Sequence, residues 1–185
     1  MSLVVKEGLF ADGCSISKSK MHNFELRGKV SFLHSSMSST TLKGIQIYEL
    51  FKLTGMKLNN VELSSIQLSK NAILGMDFVE ATNSRLENST MEGFVLFEEA
   101  VLSKFVFKNV EFKDMVDFED SNLNNVRFEN VIFHDLAIFE GAKLHKCSFK
   151  NVVFKKPVKS RNAKLSKTTF EQTTFPRDGG FNKDY

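Results

Sequence analysis

The chain has 185 residues, 42% hydrophobic and 25% charged, with a formal net charge of +3. These figures fit a folded soluble domain and exclude collagen-like and low-complexity chains, and so small a net charge does not by itself point to nucleic acid. Phenylalanine is the anomaly, with 19 Phe against 2 Tyr and no Trp.

Residues 1–9 read as an N-terminal cap or vector-derived residues, with Val4-Val5 placed to cover one end of the fold. No signal peptide opens the chain, and no apolar run approaches the ~18 residues of a membrane span. From Phe10 a repeat begins. It is clearest from Phe97, where the chain falls into rows of 21. Phe97, Phe118, Phe139, Ser160 and Phe181 share one column, and Leu102, Leu123, Leu144 and Leu165 a second. Phe107, Phe128, Phe149 and Phe170 share the third, and Phe112, Phe133, Phe154 and Phe175 the fourth. The same frame assigns Phe10, Ile16, Met21 and Leu26 to the first row, and Phe32, Met37, Leu42 and Ile47 to the second. Leu53, Leu58, Leu63 and Leu68 form the third, and Ile73, Phe78, Leu86 and Met91 the fourth. The long step from Phe78 to Leu86 places an insertion near Val79–Arg85.

A spacing of five suits neither regular element. On a helix each step of five advances about 140° net and scatters the large residues around the axis. On a flat strand an odd step sends the side chain to the opposite face. A chain that turns a corner about every five residues solves both problems, because four corners close a square coil with every column pointing to the axis. Two residues before each centre stand smaller or apolar residues such as Ala100, Ser121 and Ala142, or Val110, Val131 and Val152. Two residues after, 18 of 32 positions are Gly, Asn or Asp, which accept tight-turn dihedrals.

Segments such as Ser121-Asn122-Leu123-Asn124-Asn125 and Ala142-Lys143-Leu144-His145-Lys146 resemble the pentapeptide-repeat family, whose unit is A(D/N)LXX. The resemblance spans about Phe10 to Phe175. It implies an all-β fold, a right-handed quadrilateral parallel β-helix of about eight coils over residues 10–175. Residues 176–185 then form a C-terminal tail or the start of a further coil, without a visible cap. The chain is expected either to be cut from a larger protein or to meet another copy there, giving a homodimer through an open coil end.

With the centres filled, function is expected on the surface. Asn88, Asn109, Asn130, Asn151 and Gln172 predict an amide ladder, and Lys108, Glu129, Lys150 and Glu171 a ladder of alternating charge. Glu98, Glu119 and Glu140, flanked by Glu99 and Asp120, stack like charge on like, so this acidic stripe is the candidate partner-binding surface. From Asp77 to Asp120 there are 11 acidic and 4 basic residues; from Gly141 to Phe170 there are 9 basic and no acidic ones. Lys146, Lys155, Lys156, Lys159, Arg161 and Lys164 form the candidate basic patch. Cys14 and Cys147 both fall at small inward positions and read as core thiols in a reducing compartment.

No HExxH, GxSxG, P-loop or GxGxxG occurs, so no catalytic residue, metal or cofactor is expected. The expected function is a non-enzymatic protein–protein interaction scaffold in the cytoplasm, or secreted without a cleavable signal. The family resemblance implies two alternatives, a β-helix domain of a larger secreted bacterial effector such as the substrate-binding part of a HECT-like ubiquitin ligase, and a DNA mimic acting on type II topoisomerase.

Overall fold

The computed structural model describes residues 3–181. They form 26 short strands in three sheets of 11, 7 and 8, with parallel pairing between successive coils. The strands close into a four-sided solenoid of eight coils. Each side carries two inward residues separated by one outward residue, as strand alternation requires. In the fifth coil the inward pairs are Val95 and Phe97, Ala100 and Leu102, Phe105 and Phe107, and Val110 and Phe112; all eight are buried. The third and fourth sides run as one continuous strand in five coils, Lys20–Leu26, Thr41–Ile47, Arg85–Met91, Val106–Phe112 and Arg127–Phe133, which is why their sheet is the largest.

The corners explain the spacing of five. Twenty-five described residues have positive φ, and twenty-four of them stand two residues after a centre, three per coil. Asn, Asp and Gly tolerate this left-handed conformation, hence the enrichment in the sequence. The backbone N–H at most such corners donates to the next coil, as in Lys104 N to Asn124 O at 2.9 Å and Asn125 N to His145 O at 2.8 Å. Outside the third coil, where Asn71 is left-handed at φ 64°, the fourth corner has no left-handed residue and spends six residues instead of five. There Asp114 and Asp135 close the turn with their own carboxylates, Oδ1 accepting from the N–H of Met115 at 2.8 Å and of Leu136 at 2.7 Å.

The register departs from the sequence reading in the first and fourth coils. Phe32 pairs with Ala11, not Phe10, so Ala11 is the first inward centre and Phe10 lies outside, 70% exposed. The insertion lies earlier than Val79–Arg85. Leu68 still pairs with Ile47, 21 residues back, whereas Leu74 pairs with Phe51, 23 back. Two extra residues therefore enter at the fourth corner of the third coil, around Ser69–Ala72, which turns on a bond from Ala72 N to Ser69 O at 3.0 Å. Met76 and Ala81 take the centres assigned to Ile73 and Phe78. Ile73 becomes a half-buried outward residue, and Phe78 stands at a corner with φ of 55° and is 51% exposed.

The core changes character along the axis, mainly aliphatic in the first four coils, where Phe24, Phe32 and Phe51 are the aromatic members, and dominated by stacked phenylalanines from the fifth. Phe107, Phe128 and Phe149 stack with centroids 4.8 and 4.6 Å apart, and Phe112, Phe133 and Phe154 at 5.2 and 4.6 Å. Neighbouring columns meet edge-on, as with Phe107 and Phe118 at 90°. Cys147 is buried in this core, and burial pushes its thiol up to about 11. Cys14 is exposed, because its inward position lies in the first coil with almost nothing above it.

The two ends differ. The tail turns under the last coil, and Phe181 seats its ring against Phe139 at 5.1 Å, Phe149 at 5.7 Å and Phe170 at 5.5 Å. Ser160, the small centre of the last coil, leaves the space that this ring fills. The C-terminal end is thus capped by an aromatic plug rather than open as expected. At the other end the strand Leu3–Val5 pairs with Phe24–Leu26 and covers one side. Among the described residues nothing pairs above Leu9–Asp12, Ser15–Ser17 or Lys20–His22.

Candidate functional site

The corner after the first side gathers a cluster of acidic residues, seven of the chain's 22 when Asp117 on the adjoining side is included. Here the N–H groups of Phe78, Glu99 and Asp120 donate to the carbonyls of Glu98, Glu119 and Glu140, so successive coils set these residues in register. Glu98, Glu119 and Glu140 form the column expected from the sequence, with Glu99 and Asp120 beside them. The structure adds Asp77 at the head of the column and Asp117 on the adjoining side, where it pairs with Ile138. The sequence conceals Asp77 because the shifted insertion hides its register, and Asp117 because it lies one outward position before the stripe.

The electrostatics follow from this stacking. Burial raises the carboxyl of Asp77 and of Asp117 above the usual range. Glu98 is raised too, first by desolvation and then by Asp117, Asp77, Glu119 and Glu99. One carboxylate oxygen of Asp77 is buried without a hydrogen-bond partner. At the foot of the column Arg161 lies 3.7 Å from Glu140, and Lys52 near Asp77 and Lys159 near Asp117 offset part of the negative charge. Phe78 projects from the head of this corner.

The sign of the pH dependence is opposite to the usual carboxylate case. Folding raises these three groups, so the folded chain holds their protons more tightly than the unfolded one. Stability is therefore gained as pH falls through the folded values toward the ordinary 3.8 and 4.5. The expected result is a higher thermal midpoint near pH ~5 than near pH ~7, and a smaller difference in the double variant Asp77→Asn, Glu98→Gln. Calorimetry at the two pH values checks this.

The basic residues do not form one patch. Lys156 pairs with Asp135 at 2.6 Å, Lys155 meets His134 Nδ1 at 3.1 Å, and His134 Nε2 meets Glu111 at 3.2 Å, all at the fourth corner. Lys159 lies beside Ile138 on the first side, near Asp117. Lys164 pairs in register with Lys143 on the second side, and Lys146 and Lys167 share the corner that comes after it. The nine positive charges encircle the end of the rod, because a 21-residue coil distributes consecutive residues over all four sides.

The amide ladder forms over four coils. Nδ2 of Asn109, Asn130 and Asn151 donates to the preceding Oδ1 at 2.9, 2.9 and 3.0 Å. Of the alternating charges, Lys150 and Glu171 pair at 3.2 Å, whereas Glu129 is held by Arg127 of its own strand at 3.1 Å. Both features are scaffolding.

No curated protein matches the chain significantly. Similar solved structures include the pentapeptide repeat protein Rfr23 from the cyanobacterium Cyanothece 51142, 15% identical over 66% of this chain and 89% of that one, with a TM-score of 0.38. Full-length QnrB1, a plasmid-mediated fluoroquinolone resistance protein, is 11% identical over 92% and 94%, with a TM-score of 0.30. HetL from the cyanobacterium Nostoc sp. strain PCC 7120 is 12% identical over 95% and 92%, with a TM-score of 0.26. The family model for pentapeptide repeats in nine copies matches residues 97–143. The left-handed corners continue on both sides of that matched segment, from Gly13 to Gln172, so the corner geometry of the pentapeptide repeats at 97–143 extends along the rod.

Proposed function

We propose that the protein is a non-enzymatic interaction rod whose acidic corner docks a basic, apolar-tipped segment of a partner protein. The observation that carries the reading is Phe78. A bulky residue in the left-handed region costs about 1–2 kcal/mol, and here it is also half exposed, beside stacked carboxylates that repel one another. Neither feature serves the fold. Both suit a surface that receives cations around an apolar contact, where desolvated charges become paired and the ring is covered. The axis is filled with side chains from Leu26 to Phe154, which supports binding on the outside rather than chemistry within. A duplex mimic is less favoured, since the acidic stretch gives way to a ring of nine basic residues.

The test uses short Lys/Arg-rich peptides, each bearing one Leu or Phe, and isothermal titration at two salt concentrations. Wild type is expected to bind with a salt-sensitive affinity. The variant Glu98→Lys, Glu119→Lys is expected to lose binding. Phe78→Asn is expected to weaken it about tenfold while raising the thermal midpoint by about 2–4 °C, since Asn accepts the left-handed corner. No binding by wild type, or binding that survives both variants, sinks the proposal.

A further inference from the structure

The N-terminal end of the rod holds an apolar cavity of about 250 Å³, bounded by Val5, Ile16, Met21, Phe24 and Phe32 among others. Its rim residue Leu9 is 45% exposed, and Ile16, Met21 and Phe24 are half-buried only because no complete coil lies above them. Around it run the unpaired edges of Leu9–Asp12, Ser15–Ser17 and Lys20–His22. An apolar mouth framed by free backbone donors and acceptors is a surface shaped for another layer of strand.

We infer that this mouth is a self-association site, closed by the same end of a second copy of this chain in a two-fold dimer. Three observations select that occupant. The opposite end also has unpaired strand edges but is plugged by Phe181, so in a head-to-tail stack, which would run on as a filament, the apolar mouth would meet a face already filled by rings. Charge points the same way. Residues 3–27 carry Lys6, Lys18, Lys20 and Arg27 against Glu7, Asp12 and Glu25, a net of +1, whereas the equal length at the other end, residues 157–181, carries a net of +3 and lies next to the basic coil before it. Two N-terminal ends meet with little repulsion; two C-terminal ends meet with more. The area suffices: a 21-residue coil at ~3.3 Å per residue encloses, with its outward side chains, a face of roughly 600 Å² per copy. About 1,200 Å² in all reaches the lower range of specific interfaces.

The two-fold also satisfies the edges. Rotation about an axis perpendicular to the rod reverses the winding of the second copy, so its edge strands meet the first antiparallel and exchange backbone bonds. The apolar side chains of the two first coils then face each other across the junction as successive coils do throughout the rod.

Light scattering of the full chain between about 1 and 100 μM, the range in which small interfaces exchange, gives the mass. Twice 21.0 kDa is expected for wild type. Leu9→Glu, at a position exposed enough to accept charge, is expected to give the single-chain mass with an unchanged circular dichroism spectrum. Phe170→Glu, at the plugged end, is expected to leave the dimer intact. Maleimide labelling of the exposed Cys14 in the first coil supplies a second readout, slowing at least several-fold as concentration rises through the transition, with buried Cys147 silent. A single-chain mass for wild type across the range, a dimer that persists in Leu9→Glu or is lost in Phe170→Glu, or Cys14 labelling independent of concentration overturns the proposal.

Discussion

Replacing Phe128 by Ala should lower stability by about 3–5 kcal/mol and the thermal midpoint by about 10 °C. Phe128 is fully buried and lies between Phe107 at 4.8 Å and Phe149 at 4.6 Å, with Phe118, Phe133 and Phe139 edge-on or tilted within 6.4 Å. Removing the ring forfeits its own burial and both stacking partners, and the surrounding backbone is fixed by ladders on every side, so the cavity cannot collapse. Phe128→Leu should cost markedly less, because it keeps much of the volume. Hydrogen exchange adds a directional expectation. Each coil touches only its neighbours, so Phe128→Ala should raise exchange most in the sixth to eighth coils and least in the first three. Thermal melts of the two variants, read with that exchange pattern, check the prediction.

Gly93→Ala should cost about 2 kcal/mol or more, a loss of about 5 °C, at a site with no apolar contact to lose. A Cβ built on Gly93 would stand 2.1 Å from the carbonyl oxygen of Ala72 and 2.7 Å from that of Ser69. Both belong to the corner that carries the two extra residues, and both are backbone atoms that cannot rotate away. Glu49 holds the equivalent position two coils earlier, where the corner has its ordinary six residues, and tolerates a full side chain. Deleting Lys70 and Asn71 should therefore remove most of the penalty of Gly93→Ala. A penalty unchanged by the deletion would detach Gly93 from the insertion.

These residues show how much of the fold is legible in the sequence. The columns from Phe97 onward are readable because one physical requirement, a large side chain on the axis every five or six residues, leaves no ambiguity when Phe or Leu fills each position. In the fourth coil the same rule favours the larger residue and fails. Phe78 outweighs Ala81, although Asn83 two residues beyond Ala81 carries the corner signal that Glu80, two beyond Phe78, lacks. Size misleads because two inward neighbours share each side, and a small centre is tolerated where Val79 and Leu58 fill the layer. The acidic stripe is visible as charge at 21-residue intervals. Its head is not, since Asp77 and Phe78 join it only when the insertion is placed at Ser69–Ala72. The plug is hidden for a different reason. Phe181 continues the first column by count, but the space it fills is the one vacated by Ser160.

The unequal corner has a consequence for how the chain finds its place. Were all four sides five residues long, a segment displaced by one side would bury an equally good set of large residues, and a folding rod would have four near-degenerate ways to add each layer. The six-residue corner makes every such slip accumulate an error of one residue per turn, which throws the large side chains outward within a single coil. It works as a phase mark. The extra pair at Ser69–Ala72 falls at that same corner, the one place where added length leaves the left-handed turns on the other three undisturbed. Among related rods, changes in coil length should therefore concentrate at this corner, and lengthening a left-handed corner by the same two residues should scramble the layers beyond it.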